Sequence, residues 1–167
     1  MTIRSATKQD APAVLDITKR AFEVYRQSLS SNAPLAALSE TLPQTEADII
    51  GGRVFVAADG NKIIGSIRYE LLSPKLAYIY RFGVDPETSI GGAGSDLISH
   101  CLGQIKAAGC KAACLHTNSR YFKLARYYYG KEFYVHSTDN SKGYIRALFV
   151  KQFDPTYDAD VTPAFKK

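Results

Sequence analysis

No apolar run in this chain approaches the ~18 residues that a membrane-spanning helix needs. The opening Met1-Thr2-Ile3-Arg4 lacks the layout of a signal peptide. Cysteine is scarce and odd in number: Cys101, Cys110 and Cys114 do not make a disulfide framework, so reduced thiols in a cytoplasmic protein are expected. With His100 and His116 these thiols share a short stretch, yet their spacing matches no zinc-ligand pattern, and no metal is assigned. Basic residues are plentiful, 21 Lys and Arg against 16 Asp and Glu, but nowhere do five stand in a row and no helix is striped by them. The net charge of +5 therefore reads as a solvated surface rather than a nucleic-acid footprint. It also suits an anionic small molecule.

What is present fits one globular domain. The 167 residues, 46% apolar and 22% charged, can bury a sizeable core. Residues 1–153 are read as the domain and 154–167 as a polar tail, expected to be loosely ordered. Nothing repeats internally.

A short strand at residues 2–6 comes first. Thr7 and Asp10 then resemble a capping box, and Val14, Ile17, Thr18, Ala21, Phe22 and Tyr25 recur at helical spacing. Ser28 to Asn32 is a polar break. A second, weakly patterned helix is expected from about Pro34 to Ile50, closed by Gly51-Gly52. Three strands come next, around Val54–Ala58, Lys62–Leu72 and Lys75–Val84, joined at Asp59-Gly60-Asn61 and Ser73-Pro74. After Asp85-Pro86 a glycine-rich loop opens a long helix whose apolar positions run from Leu97 to Ala108, with Gly109 as its C-cap. A strand at Lys111–Thr117, a helix near Arg120–Tyr129 and a hairpin of Phe133–Ser137 with Tyr144–Lys151 complete the order. Only the step through the glycine loop is a βαβ crossover. The expected fold is α/β (α+β), a mixed and mostly antiparallel central sheet of about seven strands flanked by about four helices, with one parallel pair in the middle.

The glycine loop, Ser89-Ile90-Gly91-Gly92-Ala93-Gly94-Ser95, carries the functional signal. Small residues between a strand and a helix N-terminus let backbone N–H groups converge on a phosphate. Such a loop also serves as a plain flexible connection. A P-loop is excluded, because Ser95-Asp96 stand where Lys and Ser or Thr would follow the last glycine. The dinucleotide fingerprint is excluded by Leu97 in place of its third Gly or Ala.

The loop does resemble the acetyl-CoA loop of the GNAT N-acetyltransferases, Gln/Arg-x-x-Gly-x-Gly/Ala, which falls on Ser89 to Gly94. Its lead-in Gly83-Val84-Asp85-Pro86 is similar too, and Arg126-Tyr127-Tyr128-Tyr129-Gly130-Lys131-Glu132-Phe133 looks like the family's tyrosine-x-x-x-Gly-Phe segment. In element order the resemblance spans residues 2–152. It departs at Ser89, where the family has Arg or Gln, and at Glu132, where it has Gly. The latter concerns backbone conformations that glycine takes and glutamate resists.

The resemblance implies a V-shaped split between strands four and five that takes the pantetheine arm of acetyl-CoA. It implies backbone contacts from Phe82, Gly83 and Val84, and a pyrophosphate held at Ser89, Ile90, Gly91, Gly92, Ala93, Gly94 and Ser95. It also implies a further coenzyme contact at Asn118, and Tyr128 as the acid that protonates the departing thiolate. The general base stays open, since Lys75–Val84 holds no carboxylate. Tyr78 or Tyr80 ordering a water, Glu23, Glu40 or Glu70 approaching from elsewhere, and a water relay are the alternatives. The expected activity is transfer of an acetyl group from acetyl-CoA to an amine acceptor, by direct attack in a ternary complex. The competing readings are a coenzyme A-binding sensor without catalysis and a basic nucleic-acid-binding domain. The acceptor, the acyl length and the assembly, a homodimer included, are not encoded in any motif.

Overall fold

The computed structural model describes residues 1–167. The elements are β1 (Thr2–Ser5), α1 (Ala11–Arg26), α2 (Leu42–Ile50), β2 (Val54–Asp59), β3 (Lys62–Ser73), β4 (Leu76–Val84), α3 (Ala93–Ala107), β5 (Ala112–Asn118), α4 (Phe122–Tyr129), β6 (Tyr134–Asp139) and β7 (Arg146–Gln152). Short 3₁₀ turns at Lys8–Asp10 and Thr162–Lys166 complete it. The seven strands form one sheet in the order β1-β2-β3-β4-β5-β7-β6. The β1–β2, β2–β3, β5–β7 and β6–β7 pairs are antiparallel. Only β4 and β5 run parallel, through Leu76↔Ala112, Ala77↔Ala113 and Tyr78↔Cys114, and their ladder ends there. This is the mixed sheet with four helices that the element order implies.

The contacts divide the chain into two compact units, with β3, β4 and α3 contributing to both. In the first unit, Met1–Arg26, Leu35–Tyr69 and Tyr80–Gly103, the inner face of α1 (Ala11, Val14, Ile17) meets Ile49 of α2 and Val54, Val56, Ala58 and Ile63 of the sheet. On the other face of β2, Phe55 stacks on Tyr69 and takes the His100 ring of α3 edge-on at 4.9 Å. In the second unit, Gln27–Pro34, Glu70–Ile79 and Gln104–Lys167, a cluster of Leu76, Ala112, Cys114, Leu148 and Val150 is closed by Val161 and Ala164. The polar tail is therefore packed, contrary to the loose order expected of it: Val161 and Ala164 give it an apolar side that its composition hides.

Local signals explain most boundaries. The two-residue turn at Gly60-Asn61 sets Asp59 opposite Lys62. At the end of α3, Gly109 N–H donates to Lys106 O and Cys110 N–H to Ile105 O, a C-terminal cap around a left-handed glycine. Thr7 N–H donates to Asp10 Oδ2 at 2.7 Å, as the box reading implies. The largest departure is α2, which begins at Leu42 and not near Pro34. Its start is a second capping box, in which Thr41 N–H donates to the Gln44 amide oxygen at 2.8 Å, with a proline in the first turn. Residues 36–39 form turns instead.

Candidate cofactor-binding site

In the first unit β4 delivers the chain to the glycine loop, and the junction is firmly tied. Asp85 N–H donates to Ile64 O at 2.8 Å, and Thr88 N–H donates to Asp85 O at 3.1 Å. The Asp85 carboxylate, 1% exposed, accepts from the Glu87 N–H at 3.0 Å and from Arg20 Nη1 at 2.5 Å, with Lys62 Nζ at 3.4 Å from its second oxygen. The Arg20 hydrogen bond, then the Glu87 N–H, hold its pKa down at about 2. Because the folded value lies below the unfolded one, the stabilisation is full above pH ~4 and is lost as pH falls toward 2. Asp85→Asn is expected to lose about 1.5–3 kcal/mol of stability near neutral pH, as for a charged hydrogen bond. Denaturant melts should show the gap to the parent closing as pH falls below 4.

Beyond this anchor the loop opens. Ser89, Gly91 and Gly92 are exposed, Ile90, Gly94 and Ser95 half-buried, and Ala93 buried at the first position of α3. Gly92 has φ +87, a conformation that side chains resist, and a Cβ there would meet nothing within 4 Å. Gly92 O accepts the Asp96 N–H at 2.9 Å, so the first-turn N–H groups ahead of Asp96 are the ones a helix cannot satisfy internally. They lie at the positive end of the α3 dipole, the arrangement that binds phosphate. The motif residues of this unit fall in two segments on either side of the Asp85 junction: Phe82, Gly83 and Val84 at the end of β4, then Ser89 to Ser95. Gly83 is packed from above by α1, since a Cβ would stand 2.7 Å from Ala21 Cβ.

The second unit carries the other two. Tyr128, on α4, is 5% exposed, its ring against those of Tyr127 (5.4 Å), Phe149 (5.5 Å) and Phe133 (5.7 Å). Tyr129 is 55% exposed, and burial pushes the Tyr127 phenol up to about 12. Asn118 ends β5 with its amide inside protein contacts: Nδ2 donates to Ser28 O at 2.9 Å, and Oδ1 accepts the Arg120 N–H at 3.1 Å. Glu132, where the motif has glycine, has φ +64, so the missing glycine did mark a left-handed position.

Two polar clusters lie outside the sequence motifs. In the first unit Arg68, 0% exposed, pairs with Glu40 Oε1 at 2.7 Å and Asp48 Oδ2 at 2.8 Å, and Arg81 Nε donates to Glu40 Oε2 at 2.5 Å. In the second, the Tyr78 hydroxyl lies 3.1 Å from His116 Nδ1, and Asp139 pairs with Arg146 at 3.0 Å. Burial first, then the Arg146 charge, bring His116 down to about 4, so it is neutral near pH 7. Only the alternation of Arg68 with apolar neighbours on a strand pointed to the first cluster; nothing local pointed to the second.

The carboxylates weighed as bases are engaged. Burial would raise Glu40, but the Thr45 and Arg81 hydrogen bonds and the Arg68 charge outweigh it and lower its pKa. Glu23 pairs with Arg26, and Glu70 with Lys167 at 2.5 Å. The thiols are buried, and desolvation pushes Cys101 and Cys114 up to about 12, far from a reactive thiolate.

The sequence model of the acetyltransferase (GNAT) family matches residues 14–133. No curated protein matches the chain. Among solved structures, the chain is similar to the PaiA N-acetyltransferase of Thermoplasma acidophilum in complex with coenzyme A, with a TM-score of 0.77 at 16% identity, covering 91% of this chain and 98% of that one. It is similar to YncA of Salmonella typhimurium with its cofactor acetyl-CoA, with a TM-score of 0.71 at 18% identity over 96% and 98% of the two chains. A ribosomal-protein-alanine N-acetyltransferase from Brucella melitensis gives 0.70 at 16% identity, over 91% and 99%. At such identities the likeness is one of fold.

Proposed function

This chain belongs to the acetyltransferase (GNAT) family, and from that premise we propose that it transfers an acetyl group from acetyl-CoA to the primary amine of a small molecule or a protein, by direct attack in a ternary complex. The observation that carries the reading is the end of β4. A tied junction at Asp85 leads into an exposed glycine turn, which opens a 15-residue helix at its positive end. The residues present fit acetyl-CoA there: small side chains, no carboxylate between Ser89 and Ser95, and an open side at Gly92.

Acetyl-CoA supplies an activated acyl thioester. Backbone N–H groups at Gly91 to Ser95 hold its phosphates, and backbone groups of Phe82 and Val84 align its extended arm. An N–H near Gly83 or Val84 polarises the carbonyl, a small oxyanion hole. Tyr128 donates its proton to the departing sulfur. With Glu23, Glu40 and Glu70 each held by a cation, the amine's proton leaves through ordered water.

Release of coenzyme A from acetyl-CoA over a panel of amines tests this, with calorimetric binding of coenzyme A alongside. Binding without release on any amine would favour the non-catalytic reading. Ser89, exposed at the head of the loop, gives a gain-of-binding test. Ser89→Arg restores the family's charge and should tighten coenzyme A by at most about 1.5–3 kcal/mol, with a steeper salt dependence. Unaltered affinity would show that this side chain points away from the phosphates.

A further inference from the structure

β4 contains one residue that its neighbours do not explain. Arg81 sits inside the strand with φ +50, a left-handed conformation that arginine reaches only at a cost glycine does not bear. A left-handed residue departs from the extended course of a strand, so the backbone direction of the residues after it depends on how that one residue is held. In β4 the residues that follow it are Phe82, Gly83 and Val84. Strain of this kind persists only where the surroundings over-determine it.

The surroundings are a carboxylate. Glu40, 6% exposed, has both oxygens engaged: Oε1 accepts from Thr45 Oγ1 at 2.6 Å and faces Arg68 Nη1 at 2.7 Å, while Oε2 accepts from Arg81 Nε at 2.5 Å. Arg68 is fully buried and shared with Asp48, so without Arg81 one interior cation would face two carboxylates. The Arg81 guanidinium balances the cluster two against two. A buried carboxylate left short of its partner is costly, which makes the demand for this guanidinium strong.

We propose that Glu40 and Arg81 form a strut that sets the backbone of the cofactor-facing end of β4. Glu40, on the segment ahead of α2, acts through Arg81 as a positioning residue: it holds the guanidinium, the guanidinium holds the left-handed backbone, and that backbone aims Phe82 to Val84. The proposal rests on the reading that Phe82 to Val84 face the pantetheine arm.

The test exploits glycine, which adopts φ +50 without a strut. Arg81→Ala keeps the strain and loses the tether, whereas Arg81→Gly loses the tether and the strain together. The first is expected to weaken coenzyme A by about 10- to 100-fold, as for misplaced binding groups, and the second to change it little. Glu40→Gln should behave like Arg81→Ala, and adding Arg81→Gly to it should restore binding, a coupling that a merely structural ion pair would not show. If Glu40→Gln does not fold, the two Arg81 variants still decide. Amide exchange at Phe82, Gly83 and Val84 in the ligand-free protein should quicken in Arg81→Ala and not in Arg81→Gly. Equal coenzyme A affinity in Arg81→Ala and Arg81→Gly would overturn the proposal. A parent chain that binds no coenzyme A would overturn the proposed function and with it the cofactor role of the strut, while the exchange pattern would still report whether the strut sets the strand.

Discussion

Gly94→Glu is expected to abolish coenzyme A binding while the protein melts no lower than its parent. Gly94 is the second residue of α3, where helix geometry leaves N–H groups without an internal acceptor. For the helix itself the substitution is favourable twice over. Glutamate has the higher helix propensity, by roughly 0.5–1 kcal/mol over glycine. A carboxylate in the first turn also gains from the dipole, by roughly 0.3–1 kcal/mol. Asp96 already stands in that turn. For a bound pyrophosphate the same carboxylate is hostile: at about 4 Å and a near-surface dielectric, like charges repel by about 4 kcal/mol, a factor near a thousand. The two effects have opposite signs, so the outcome separates site from scaffold. Gly94→Ala divides the loss further, because a methyl blocks close approach without charge. Calorimetry with coenzyme A at two salt concentrations is the measurement. An unchanged Kd in Gly94→Glu would mean that the phosphates do not sit at this helix end.

Where the fold could be read ahead of the structure, the signals were short-range. The apolar run of β2, the turn at Gly60-Asn61, the glycine cap of α3 and the crossover into β5 each depend on residues a few positions apart. The start of α2 was equally local, in Thr41 and Gln44, but the apolar residues at 35–38 extended the pattern and drew the expected helix too far forward. What could not be read is non-local. Arg68, Glu40 and Arg81 are ordinary surface residues by composition, and only the tertiary fold makes an interior ion cluster of them. Tyr78 meets His116 across 38 positions. The burial of Val161 and Ala164 depends on a sheet face that the tail's own polar composition does not announce. The loop from Ser89 to Ser95 was visible as a motif, yet the tension in the strand before it, at Arg81, was not, because arginine carries none of the expectation of a left-handed backbone that glycine does.

Tyr128→Phe is expected to lower turnover by about 10²–10⁴ while acetyl-CoA affinity hardly changes, as for a lost general acid. The ring is what the fold uses: Tyr127, Phe133 and Phe149 pack around it, and phenylalanine keeps those contacts. The stability cost is then limited to whatever the hydroxyl contributes, about 1 kcal/mol for a typical hydrogen bond. A phenol, with a reference pKa near 10, is protonated at neutral pH, so it holds the proton that a departing thiolate needs. The neighbours supply controls of two kinds. Tyr129→Phe alters an exposed residue of the same helix, and Tyr127→Phe removes the hydroxyl from a ring that packs against Tyr128. Both should reduce turnover far less than Tyr128→Phe. The assay needs an acceptor amine, with coenzyme A release compared against an amine-free blank, since slow hydrolysis of acetyl-CoA mimics transfer. A drop in kcat with KM for acetyl-CoA held steady identifies a group that acts in the transition state rather than in binding. Equal small effects at all three tyrosines would remove Tyr128 from the mechanism and leave water as the proton donor.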